Sequence, residues 1–175
     1  MRAIVVVFSA VLLVGAGTTA VGAEHAKLAP EILQSFAMRD HYGIPVPQGD
    51  QVIYVDSASA HHISEEFSVI AARQSDGHWH ISVVGEEGPG LLNIPRRMTT
   101  HEERTLSDAD GLRLDDLLTQ RPLYREKVKP SSNLAVGAAF HTMEIDSPSG
   151  HMVIRWTGRL LGKAGAIADL VIGAG

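Results

Sequence analysis

An α+β fold, an antiparallel sheet built from two β-hairpins with about three flanking helices, follows from three features of the chain. The first is residues 66–86, EFSVIAARQ-SDG-HWHISVVGE, two alternating runs around a turn. The second is a similar pair further on, residues 134–145 and 151–160, around Ser147-Pro148-Ser149-Gly150. The third is helical spacing of apolar residues near the start, in the middle and at the end. Strands and helices in separate runs suggest an antiparallel sheet covered on one face. The alternative is a small β-barrel or sandwich, which about six strand candidates would permit.

In the first hairpin, a three-residue loop Ser75-Asp76-Gly77 with positive φ at the glycine pairs Ala71 with Ile81, Val69 with Val83 and Arg73 with Trp79. That face is apolar. The other carries Gln74 with His78, Ala72 with His80, Ile70 with Ser82 and Glu66 with Glu86, a mixed surface expected toward solvent or a partner. A slip of one residue would put Trp79, Ile81 and Val83 in water, so the register is well specified. In the second hairpin a turn at 147–150 pairs Ile145 with Met152, Met143 with Ile154 and His141 with Trp156. Both tryptophans fall in step with apolar neighbours and read as core.

The remaining elements have local causes. Pro30 and Glu31 open a first helix, with Ile32, Leu33, Phe36 and Ala37 as its apolar face and Gly43 as its stop. Pro45 and Pro47 impose an extended path into a strand over 51–57, whose uniformly apolar middle does not show which side is buried. Residues 59–64 read as a loop and 96–105 as a charged edge strand. Gly88-Pro89-Gly90 breaks the sheet ahead of a short apolar connector. Ser107 with Asp110 forms a capping box in which aspartate replaces the usual glutamate. The helix it opens buries Leu114, Leu117 and Leu118, wets Asp115 and Asp116, and ends at Pro122. Ala164, Ile167, Ala168 and Val171 mark a final helix despite Gly165 and Gly173.

Residues 1–23 have the three parts of a secretory signal peptide: Met1-Arg2, an apolar run, and small residues ending at Ala23. The expected mature chain, 24–175, has the length of one domain and carries 14 basic and 20 acidic residues, a net −6. That balance disfavours nucleic acid, and the apolar run at the start is shorter than the roughly 20 residues of a membrane span. No stable span is expected once the leader is removed. Cysteine is absent, which excludes disulfides, thiol catalysis and cysteine-based metal sites. Nine histidines give the chain a large capacity to change charge under mild acid.

Familiar catalytic patterns are missing. There is no G-x-S-x-G, S-x-x-K, H-E-x-x-H, P-loop or dinucleotide-binding glycine pattern. His101-Glu102-Glu103 has threonine where a second zinc ligand would stand. Asp108-Ala109-Asp110-Gly111 has leucines at the first and last positions of a calcium loop. His78 and His80 share a strand face and offer two nitrogens to one ion, with His61, His62 or Glu65 as a third ligand. His141, opposite Trp156, reads as a buried, hydrogen-bonded structural histidine. Arg155 and Arg159, with Thr157, face the other way, where they could contact an anionic ligand.

The expectation is an exported, periplasmic or secreted envelope protein, a non-catalytic module that binds a small molecule or another envelope protein. Its binding surface would be the exposed hairpin faces or the loop 88–95. The alternative is a metal-dependent or histidine-based hydrolase using the His78/His80 strand face. No cofactor and no ligand identity follow from the residues.

Overall fold

The computed structural model describes residues 28–60, 63–89, 95–126 and 139–173. The leader read over 1–23, His61, His62, residues 90–94 of the connector and residues 127–138 lie outside them. Helix α1 (Pro30–His41) precedes a meander of strands β1 (Val52–Ala60), β2 (Ile63–Arg73), β3 (Trp79–Pro89) and β4 (Arg97–Thr105). Helix α2 (Asp108–Thr119) and a 3-10 turn (Leu123–Arg125) lead on to β5 (Phe140–Ser147), β6 (Gly150–Thr157) and helix α3 (Gly162–Ile172). The strands form one sheet in the order β4-β3-β2-β1-β5-β6, antiparallel throughout. The sheet is open, with β4 and β6 as its edges.

Both hairpins have the register that the alternation requires. Ala71 faces Ile81, Val69 faces Val83 and Arg73 faces Trp79. Ile145 faces Met152, Met143 faces Ile154 and His141 faces Trp156. The first turn closes through the Gln74 amide on the His78 carbonyl at 2.8 Å, and Gly77 takes φ +89°, a conformation that a side chain would strain. Gly43 likewise ends α1 at φ +68°. Ser107 caps α2 by accepting from the Asp110 amide at 3.2 Å. Asp110 is a methylene shorter than glutamate, and it accepts the Ser107 hydroxyl at 2.7 Å instead of returning to the cap amide.

Ile53, Val55, Val69, Ala71, Trp79, Ile81, Met143, Ile145, Ile154 and Trp156 form the apolar face. Leu114 and Leu118 of α2 and Ala164, Ile167, Ala168 and Val171 of α3 close over it. Asp115, expected on the wet side of α2, turns partly inward. It accepts from the Trp79 indole at 2.9 Å and from Arg73 at 3.0 Å, because a buried indole N–H needs a partner.

Two further features differ from expectation. Ser59, Ala60, Ile63 and Ser64, read as part of a loop, belong to strands instead, with Ser59 opposite Glu65 and Ala60 opposite Ser64. More consequentially, the sheet is covered on both faces. Helix α1 lies on the mixed face that alternation assigned to solvent, so Ile70, Ala72, Ser68, Ser82, Glu66 and Glu86 are all buried. The buried side of α1 is Ile32, Ser35, Met38 and Arg39, while Leu33 is 40% exposed and Ala37 is also exposed. Hydropathy misplaces this stripe because its centre includes a guanidinium.

Candidate ligand cavity beneath helix α1

Helix α1 is attached to the sheet by two small apolar clusters, around Ile32 and around Met38, and by a set of polar contacts. The fully buried Glu144 carboxylate accepts from the Ala29 amide at 2.8 Å, at the positive end of the helix, and pairs with His151 at 2.6 Å. Glu31 takes a two-pronged contact from Arg155 at 2.7 and 3.0 Å, which holds the Glu31 carboxyl below its usual range. Tyr42 donates to Glu86 at 3.0 Å, and Arg96 bridges Glu66 and Glu86 at 2.9 and 2.6 Å.

Arg39 is the centre of this layer. It is fully buried and donates to the hydroxyls of Ser68 and Ser82 at 2.8 Å each, and to their carbonyls at 2.9 and 2.8 Å. Desolvation draws its pKa down to about 10, against the attraction of Glu103, so it stays charged at neutral pH. The Ser82 hydroxyl donates on to Glu103 at 2.6 Å, linking the buried cation to a surface carboxylate.

Toward the β1 and β5 end of the same layer lies a cavity of about 480 Å³. Glu31 and Gln34 of α1, Asp56 and Ala58 of β1, Phe140 and Thr142 of β5, and Arg155 and Thr157 of β6 line it. Its size is that of a small-molecule site. Phe140, 59% exposed, stands at its rim. His141 and Trp156 border it too, but strand alternation places their rings on the apolar face, stacked 4.9 Å apart.

Asp56 gives the cavity its chemistry. It is 6% exposed, and its Oδ1 has no hydrogen-bond partner among the described residues. It stands in a polar row across the sheet, with Ser68 on one side and Thr142, then Arg155, on the other. Ser68 and Arg155 are engaged elsewhere, by Arg39 and Glu31. Burial, with the negative charges of Glu66 and Glu31, pushes the Asp56 carboxyl up to about 7. A carboxyl left without a partner costs stability, and such groups concentrate at functional sites. The arrangement can take up or release a proton near neutrality and can accept hydrogen bonds from a guest.

The residues singled out by sequence lie in separate places. His78 and His80 are exposed at the start of β3, with His78 Nδ1 3.7 Å from Asp108. Glu65 pairs with Glu87, seven positions along β3 from His80, or about 24 Å at strand spacing, so it cannot complete a site with the two histidines. Among the described residues no three His, Asp or Glu side chains gather to hold a metal ion. His141 is half-buried, burial lowers its pKa, and its Nδ1 has no partner among the described residues. Arg155 lies on the cavity wall, while Arg159 is exposed beyond β6. Asp56 was missed. Its signal was an acid in phase with Val52 and Tyr54 inside a run otherwise suited to a buried strand.

No protein-family model matches the chain, and no curated protein or solved structure matches it.

Proposed function

We propose that the protein is an exported, non-catalytic binding protein whose α1 cavity takes a small molecule. The observation that carries this reading is the unpartnered Asp56 carboxyl, buried in the wall of a ligand-sized cavity. A scaffold without a guest gains nothing from such a group, whereas a guest that hydrogen-bonds to it recovers the lost interaction. The N-terminal run of residues 1–23 supports export, and among the described residues no helix is long and apolar enough to cross a membrane. N-terminal sequencing of the exported protein tests the location, with Glu24 as the expected first residue.

The cavity is tested by an NMR fragment screen. Binding compounds are expected to shift the amides of Asp56, Ala58, Thr142 and Thr157, and Ala58→Trp, which fills the cavity, is expected to abolish those shifts. Compounds that shift other surfaces, or that bind Ala58→Trp unchanged, would contradict the proposal.

A further inference from the structure

The charge pattern around the cavity narrows the class of guest, and this step rests on the cavity reading above. Among the described residues three guanidiniums serve the α1 face, and all are engaged. Arg39 is held by Ser68 and Ser82, Arg96 by Glu66 and Glu86, and Arg155 by Glu31. Glu144 has the Ala29 amide and His151. The group left over is a carboxyl. Among the described residues an anionic guest would find no free cation on this wall and would face Asp56, with Glu31 and Glu66 close enough to act on it.

We infer that the cavity takes a small organic cation, a primary or secondary ammonium on an apolar body, whose N–H donates to the Asp56 carboxyl while the body lies against Ala58 and Phe140. An ammonium presents several donors on one compact charge, which suits a carboxyl facing a mainly apolar wall. Its arrival favours the ionised form of Asp56, so binding releases a proton wherever the empty site is protonated. The proton passes from the Asp56 carboxyl to buffer, and no covalent bond of the ligand changes.

Isothermal titration of the exported protein with 2-phenylethylammonium, 2-phenylethanol and phenylacetate tests this. At pH 8 the ammonium is expected to bind at least about tenfold more tightly than the alcohol, with no binding of phenylacetate. Asp56→Asn is expected to weaken the ammonium about 10- to 100-fold and to leave the alcohol unchanged. At pH 7, buffers of different ionisation heat are expected to reveal about half a proton released per ligand bound. Equal binding of ammonium and alcohol, preference for phenylacetate, or an unaltered ammonium affinity in Asp56→Asn would each overturn the inference. If the ammonium fails while neutral compounds still shift the cavity amides, the inference falls and the cavity reading stands; if no compound shifts them, both fall.

Discussion

Helices α2 and α3 meet the sheet through Leu114, Leu118, Ile167 and Val171 on Trp79, Ile81, Met143 and Ile145, a dry, close-packed layer. On the opposite face, α1 adds two small clusters, one around Ile32, Tyr54 and Ile70 and one of Met38 with Ile44 and Val84, and between them holds on through Arg39, Glu31, Ala29 and Tyr42. The two faces divide the labour of the molecule. Apolar burial is non-directional and asks only for close packing, whereas a polar layer must satisfy every group individually. The polar layer leaves a cavity and a solitary carboxyl where that satisfaction is incomplete. Stability belongs mainly to the first face, and the proposed recognition to the second.

Truncation should expose this difference. Trp79→Ala is expected to have the largest effect, a loss of about 3–5 kcal/mol in urea unfolding, since it empties the core and leaves Asp115 without the indole. Arg39→Ala is expected to cost about 3 kcal/mol, by leaving the Ser68 and Ser82 groups without donors in a dry layer. Arg39→Met distinguishes packing from hydrogen bonding: a cost close to that of alanine supports the polar account, and near-neutrality would place α1 under the same rules as α2 and α3. Arg155→Ala is expected to cost below about 1 kcal/mol, because its pair with Glu31 is solvent-screened.

The same division explains what could be read from the sequence. On the apolar face, period-two alternation in strands and 3.6-period spacing in helices reinforce one another. Both hairpin registers, the Gly77 turn, the Ser107 cap and the α3 stripe Ala164, Ile167, Ala168 and Val171 were therefore legible. On the polar face the pattern misleads. Ser68, Ser82, Glu66 and Glu86 look like solvent residues, and nothing local announces that Arg39, about 30 to 40 positions away in the chain, will cover and satisfy the two serines. Histidines drew attention as candidate ligands because imidazole is versatile. Asp56 did not, because the meaning of a lone acid depends on which neighbours across the strands are already engaged.

Protonation distinguishes the polar face without any ligand. The folded pKa of Asp56, about 7, is above its unfolded value near 3.8. The folded state therefore binds the proton more tightly, and stability falls as pH rises from about 4 to about 7 by an amount whose upper bound is roughly 4 kcal/mol. His141 acts in the opposite sense, since burial favours its neutral form and stability is lost as pH falls below the ordinary histidine range. The two contributions oppose one another in the wild-type protein. Comparing wild type with an Asp56 variant isolates the carboxyl, because the histidine contribution is common to both.

The most direct test of the division between the two faces is urea unfolding of wild type and Asp56→Asn at pH 4 and pH 8. Nearly equal stability is expected at pH 4, where the Asp56 carboxyl is protonated in the folded protein, and a variant more stable than wild type by a few kcal/mol is expected at pH 8. A variant less stable than wild type at pH 8 would mean that the ionised Asp56 has a stabilising partner, and would contradict the claim that this carboxyl is left open for a guest.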